Sequence, residues 1–216
     1  MDNAQFVMDR VWVEDRLRDR RVIPAAATPP DDLASSRGDH DLNAGMDPLP
    51  PLKPAAVLVP LVDRPGQINV LLTQRTAHLA HHAGQVSFPG GHIEPDDGGP
   101  ADTALRETEE EVGIGRRHVR LIGHLDTYVT RTGFVIIPVV GIVTPPFMVR
   151  PDPHEVAEVF EVPLAFLLDS SNHHRCTASF EGVERHFYAM PYGRHFIWGA
   201  TAGMLVNFYD ILIGRR

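Results

Sequence analysis

Apolar residues along the chain fall into blocks whose spacing predicts strands and helices in turn. Residues 55–62 form an almost unbroken run rich in Val and Leu, and residues 68–73 form a second. Between them Asp63, Arg64, Pro65 and Gly66 supply turn chemistry, so the pair predicts two strands joined by a turn. Residues 119–129 and 134–143 are strand-like by the same criterion. Residues 155–162 are expected as a connector, and residues 163–168 as a turn or two of helix. Residues 177–180 and 185–190 predict a hairpin about Glu181 and Gly182, and residues 196–213 a closing amphipathic helix. At the other end, residues 5–21 predict a short helix with Phe6, Val7, Val11, Trp12 and Leu17 as its apolar residues. From Arg21 the chain carries Pro24, Pro29, Pro30, Pro48, Pro50, Pro51 and Pro54, which favours an irregular linker. The expected division is an extension over 1–53, packed on the main domain or on a second subunit, and a domain over 54–216. Strands on either side of two helices predict an α/β fold, a mixed sheet between helices in an α/β/α sandwich.

The second helix is the unusual one. Gly90 and Gly91 lead through a short loop into a segment that ends Arg106, Glu107, Thr108, Glu109, Glu110, Glu111, Val112, Gly113. Each helical residue advances about 100°, so Glu107, Glu110 and Glu111 share one face while Glu109 projects away from it. Ala101, Leu105, Thr108 and Val112 fall opposite and are expected to pack on the core. At ~6 Å and an effective dielectric of ~20, each carboxylate pair repels by about 3 kcal/mol. On a fully wet helix the cost is only about 0.2–0.5 kcal/mol. Repulsion alone therefore leaves both a hard-cation site and a solvated acidic face open.

Composition narrows the function classes. Hydrophobic content of 43% with 22% charged residues is that of an ordinary soluble globular protein. A net charge of −8 argues against a nucleic-acid backbone as partner, which needs a basic patch. Cys176 is the lone cysteine, so no intrachain disulfide is possible, and it is expected as a small hydrophobe in or near a strand. No run approaches the ~20 apolar residues of a membrane span, and the first residues lack the apolar stretch of a signal peptide. The expectation is a cytoplasmic protein with no membrane partner.

The spacing of the motif decides what the acidic face is for. Residues 106–114 match the second half of a pattern running R-E-U-x-E-E-x-G-U, where U is a bulky aliphatic, with Thr108 in place of the first aliphatic. Six matches at roughly 6–7% each would arise by chance about once in 10⁵ chains of this size. The segment resembles the Nudix box. Its first half departs from the general pattern, with Asp97 where the box has Glu and eight residues, not seven, before Arg106. That variant resembles the coenzyme A pyrophosphatase subgroup. So does an upstream stretch, Leu71, Leu72, Thr73, Gln74, Arg75, Thr76, then Gly84 and Phe88, Pro89, Gly90, Gly91. Two positions depart from the subgroup: Thr76 for Ser or Ala, and Ala80 where a second Arg belongs.

The resemblance implies a metal-dependent diphosphatase using Mg²⁺ or Mn²⁺. Glu107, Glu110, Glu111 and the backbone carbonyl of Gly91 would be the metal ligands, oxygen donors suited to a hard cation. Arg106 would orient a glutamate by a charge-assisted hydrogen bond. Arg75 is the expected phosphate contact, and Gly90 and Gly91 would let backbone approach the metal and substrate. Three general-base assignments stay open: Glu110 or Glu111 within the box, and Glu155 outside it, with Glu158 a weaker fourth. His78, His81, His82 and His92 lack Cys partners and are expected in a polar loop, not a zinc site. The implied substrate is a small nucleotide, coenzyme A or its thioesters. Other nucleoside diphosphate derivatives and a non-enzymatic nucleotide sensor are the alternatives. Phe6 and Trp12, expected exposed, suggest a homodimer through the extension.

Overall fold

A computed structural model describes residues 8–23, 36–79, 82–180 and 182–215. The expected turn residue Glu181, and Phe6 and Val7 of the first segment, lie outside these residues, as do Ala80 and His81. The described elements, in chain order, begin with α1 (Arg10–Arg16) and β1 (Arg37–Gly38). A hairpin follows, β2 (Lys53–Arg64) and β3 (Gln67–Arg75), then the short β4 (Val86–Ser87) and β5 (Gly90–His92). Next come α2 (Pro100–Val112), β6 (Val119–His124), β7 (Tyr128–Val129), β8 (Phe134–Val143), β9 (Val156–Pro163) and α3 (Leu164–Leu167). The chain closes with β10 (His174–Phe180), β11 (Val183–Tyr192), β12 (His195–Trp198) and α4 (Gly199–Leu212).

Nine strands make one mixed sheet, in the order β1-β7-β8-β2-β3-β4, with β6 also on β8, β5 on β2 and β9 on β3. Its spine is the parallel pair β2 and β8, in register from Lys53 with Phe134 to Val62 with Val143. Both faces of this spine are covered, which explains why both strands are apolar throughout and do not alternate. Ala55, Val59 and Leu61 point into the cluster that α4 fills with Leu205, Phe208 and Leu212. Ala56 and Leu58 meet Ala104 of α2 on the other face, and Val62 meets Val112 beyond it. Helices on both faces of a mixed sheet give the expected α/β/α sandwich. Strands β10, β11 and β12 form a separate antiparallel sheet.

Five of these expectations need correction. The connector at 155–162 is a strand: β9 pairs antiparallel with β3 from Asn69 opposite Pro163 to Arg75 opposite Val156. Residues 119–129 are two strands, broken where Leu125 turns its side chain into the core at 1% exposure. The closing helix begins at Gly199, since His195–Trp198 pair with β11. The first helix is shorter than expected; Val13 within it and the C-cap Leu17 are buried, while Val11 is 66% exposed. Trp12, expected exposed, packs against the main core beside them.

The described residues ahead of β2 therefore pack on the rest of the fold. Arg37 pairs its strand with Tyr128 and forms an ion pair with Asp210 of α4. The Asp39 carboxylate accepts from the Tyr128 hydroxyl at 2.9 Å and from the Arg131 backbone N–H at 2.7 Å. Asn43 exchanges two hydrogen bonds with the backbone of His186, at 2.8 and 2.9 Å.

Candidate active site

Two glycines bring the pieces of the site together. A Cβ on Gly90 would stand 2.6 Å from the Val57 Cα, so only glycine lets β5 lie this close on β2. A Cβ on Gly91 would stand 2.6 Å from the Glu107 carboxyl carbon. The Glu107 carboxylate thus rests directly on bare backbone.

The buried seam of α2 differs from the expected one. Thr103, Ala104, Thr108, Glu111 and Val112 are buried, whereas Ala101 and Leu105 are half-exposed. The helix is rolled so that its acidic face borders the sheet and Glu111, only 4% exposed, lies inside. Thr108 tolerates full burial because its hydroxyl donates to the Ala104 carbonyl at 2.6 Å. The helix ends where Gly113 adopts a left-handed φ of 76° and donates to Glu109 O.

Arg106 is held from several sides. Its Nε and Nη2 donate to the two oxygens of Asp97 at 2.9 and 3.0 Å, a bidentate fork. Asp97 also accepts from the Thr103 hydroxyl at 2.7 Å and from the Glu94 N–H at 2.9 Å. These donors, the Arg106 fork first, hold its carboxyl well below the usual range. With its oxygens committed to the loop, Asp97 organises the turn into α2. The third arm of Arg106, Nη1, donates to Glu107 and to Glu110, each at 3.0 Å.

Glu111 has a different environment. Its Oε2 accepts from the Gly90 N–H at 3.3 Å, and its Oε1 lies 3.6 Å from Arg75 Nη1. Burial pushes its carboxyl up to about 8; Arg75 and the Gly90 N–H oppose the shift, while Glu107 and Glu155 add to it. Burial likewise raises Glu107, against the pull of Arg106. Arg75 reaches further, its Nη2 lying 3.8 Å from Glu155 Oε2.

Eight of the residues named from sequence therefore join one cluster: Arg75, Gly90, Gly91, Arg106, Glu107, Glu110, Glu111 and Glu155. Glu110 sits at its rim with a side chain 60% exposed. Glu158 belongs elsewhere, bonded to Arg194 at 2.6 Å and near His195. Of the loop histidines, His82 contacts Gln85, and the His92 ring lies 5.1 Å from that of Phe134. Sequence reasoning missed Thr103, and it missed Thr76. The Thr76 N–H donates to Glu155 O and its hydroxyl to His154 O, at 2.9 and 3.1 Å. That places Glu155 beside Arg75.

The donor chemistry fits a hard divalent cation, since four carboxylates, those of Glu107, Glu110, Glu111 and Glu155, share Arg106 and Arg75 as their counter-charges. Among the described residues no three His, Cys, Asp or Glu side chains converge to ligate an ion as they stand. Arg106 engages one oxygen of each, Oε1 of Glu107 and Oε2 of Glu110, so the second oxygen of each carboxylate lies outside that contact.

The NUDIX domain family matches residues 52–180. The chain is 44% identical over 151 residues to "Uncharacterized Nudix hydrolase NudL" of Escherichia coli (strain K12), across 70% of this chain and 78% of that protein. The same-named protein of Photorhabdus laumondii is 42% identical across 70% and 80%. Among solved structures, an Ap4A hydrolase of C. elegans aligns with a TM-score of 0.45 at 26% identity, covering 51% of this chain and 80% of its own. The domain match spans more than half of the chain, and both relatives exceed 40% identity over most of their length, so this chain belongs to the Nudix hydrolase family.

Proposed function

We propose that the protein hydrolyses the diphosphate linkage of coenzyme A or its thioesters, with Mg²⁺ or Mn²⁺, to 3′,5′-ADP and 4′-phosphopantetheine or its acyl derivative. The observation that carries this reading is where the upstream signature lies in the fold. Arg75, at the end of β3, faces Glu111 of the box at 3.6 Å, and Gly90 of the same signature donates to Glu111. The stretch that resembles the coenzyme A subgroup is thus built into the acidic site. Residues 54–216 carry the hydrolase domain in this reading, and residues 1–53 extend it.

Glu107, Glu110, Glu111 and the Gly91 carbonyl would hold the cation. That ion supplies the positive charge without which a doubly anionic linkage repels an incoming water. Arg75 binds and orients a phosphate. Arg106 sets the direction of Glu107 and Glu110. Glu155, half-exposed beside Arg75, and Glu110 at the rim are the residues placed to accept a proton from water. Glu111, buried against the Gly90 N–H and away from bulk water, serves as a ligand and not as the base.

Ala80, in place of the subgroup's second arginine, favours a second reading in which another nucleoside diphosphate derivative is preferred. Steady-state assays on coenzyme A, ADP-ribose and NADH with Mg²⁺ or Mn²⁺ separate the two. The expected result is the highest kcat/KM on coenzyme A. Turnover of ADP-ribose with none of coenzyme A would refute the first reading.

A further inference from the structure

Two arginines face the acidic helix, and they are held in opposite ways. Arg106 makes five hydrogen bonds between 2.9 and 3.3 Å, two of them a fork on the nearly buried Asp97. Arg75 makes none of that quality with a carboxylate. Its two terminal nitrogens stand 3.6 and 3.8 Å from Glu111 and Glu155, beyond hydrogen-bond length. Its Nε is buried with no hydrogen-bond partner among the described residues. A guanidinium with one buried N–H unsatisfied and two loose ion pairs loses little by moving.

What Arg75 does meanwhile is hold a positive charge between Glu111 and Glu155. It is the only Arg or Lys that pairs with Glu111 among the described residues, and it bridges Glu111 to Glu155, carboxylates that come from α2 and from the turn just before β9. We infer that Arg75 is an internal counter-ion that stands in for the divalent cation, and that the two exchange. Entry of the ion at Glu111 displaces the Arg75 guanidinium, which stays tethered through Glu155 and turns its freed donors, Nε included, to a substrate phosphate. Ion and phosphate then bind with positive coupling, because the ion releases the residue that the phosphate needs. By linkage the coupling acts in both directions.

This inference rests on the metal site proposed above, and the test keeps the two apart. Mn²⁺ binding to the substrate-free protein, followed by calorimetry or by loss of the free-ion paramagnetic resonance signal, is compared in the wild type, Arg75→Gln and Arg75→Lys, with thermal melts to establish folding. With the competing charge removed, Arg75→Gln is expected to bind Mn²⁺ about five- to tenfold more tightly than the wild type. Arg75→Lys, which keeps the charge, is expected to stay near the wild-type affinity. Equal Mn²⁺ affinity in all three, or weaker binding in Arg75→Gln, would overturn the exchange while leaving the metal site standing. No Mn²⁺ binding by any of the three would overturn the metal site itself, and the exchange with it.

Discussion

The two ends of the acidic face differ in how finished they are. At the Arg106 end every charge has its partner. The fork on Asp97, the Thr103 hydroxyl and the Glu94 N–H fix the loop that enters α2. At the Arg75 end the contacts are long, one guanidinium N–H is unsatisfied, and a carboxylate is buried at the expense of its charge. The first end has the character of a scaffold and the second that of a site waiting for ligands. Full hydrogen bonding rigidifies, and incomplete satisfaction is tolerated where a partner arrives later.

The largest effect expected from this contrast is on stability. Arg106→Ala strips the fork from Asp97, whose side chain is 5% exposed, and leaves a nearly buried carboxylate without its main partner. A loss of about 3 kcal/mol is expected in urea unfolding. Arg75→Ala breaks only long ion pairs and is expected to cost under about 1 kcal/mol. Comparable losses in the two variants would erase the distinction between scaffold and site.

A smaller effect concerns pH in the metal-free protein. The Glu111 carboxyl is raised from an ordinary 4.5 to about 8 in the folded chain. Between those values the folded chain keeps a proton that the unfolded chain has released, so this contribution to stability falls as pH rises. The expected loss is about 2 kcal/mol from pH 6 to pH 8 in the presence of a chelator. Glu111→Gln, which has no proton to lose, should flatten the profile. An identical slope in wild type and Glu111→Gln would place the titration elsewhere.

Much of this site was legible in the sequence because its logic is local. The 3.6-residue period put Glu107, Glu110 and Glu111 on one face; the two glycines, expected to bring backbone close to a metal, bring it close to Val57 and to Glu107. The faces of the β2 and β8 spine followed from runs with no polar alternation. What escaped depends on partners distant in sequence. Residues 155–162 carry Glu158 and Glu161 among valines, a pattern that suits a connector. They become a strand because β3 offers an edge, and because Glu161 finds Arg64 and Asn69 across it. The seam of α2 escaped because propensity places no glutamate inside, whereas Gly90 and Arg75 from other strands make a place for Glu111. The docking of residues 36–49 escaped for the same reason, since Asp39 and Asn43 have their partners at Tyr128, Arg131 and His186.

The proposed role of the acidic face as a divalent-cation site can be tested most directly by anomalous scattering from a crystal of the protein soaked in Mn²⁺. The expected result is an anomalous peak bounded by the carboxylates of Glu107, Glu110 and Glu111 and the carbonyl of Gly91, with Arg75 moved away from Glu111. A Mn²⁺-saturated crystal with no peak on this face, or with its strongest peak elsewhere, would contradict the assignment.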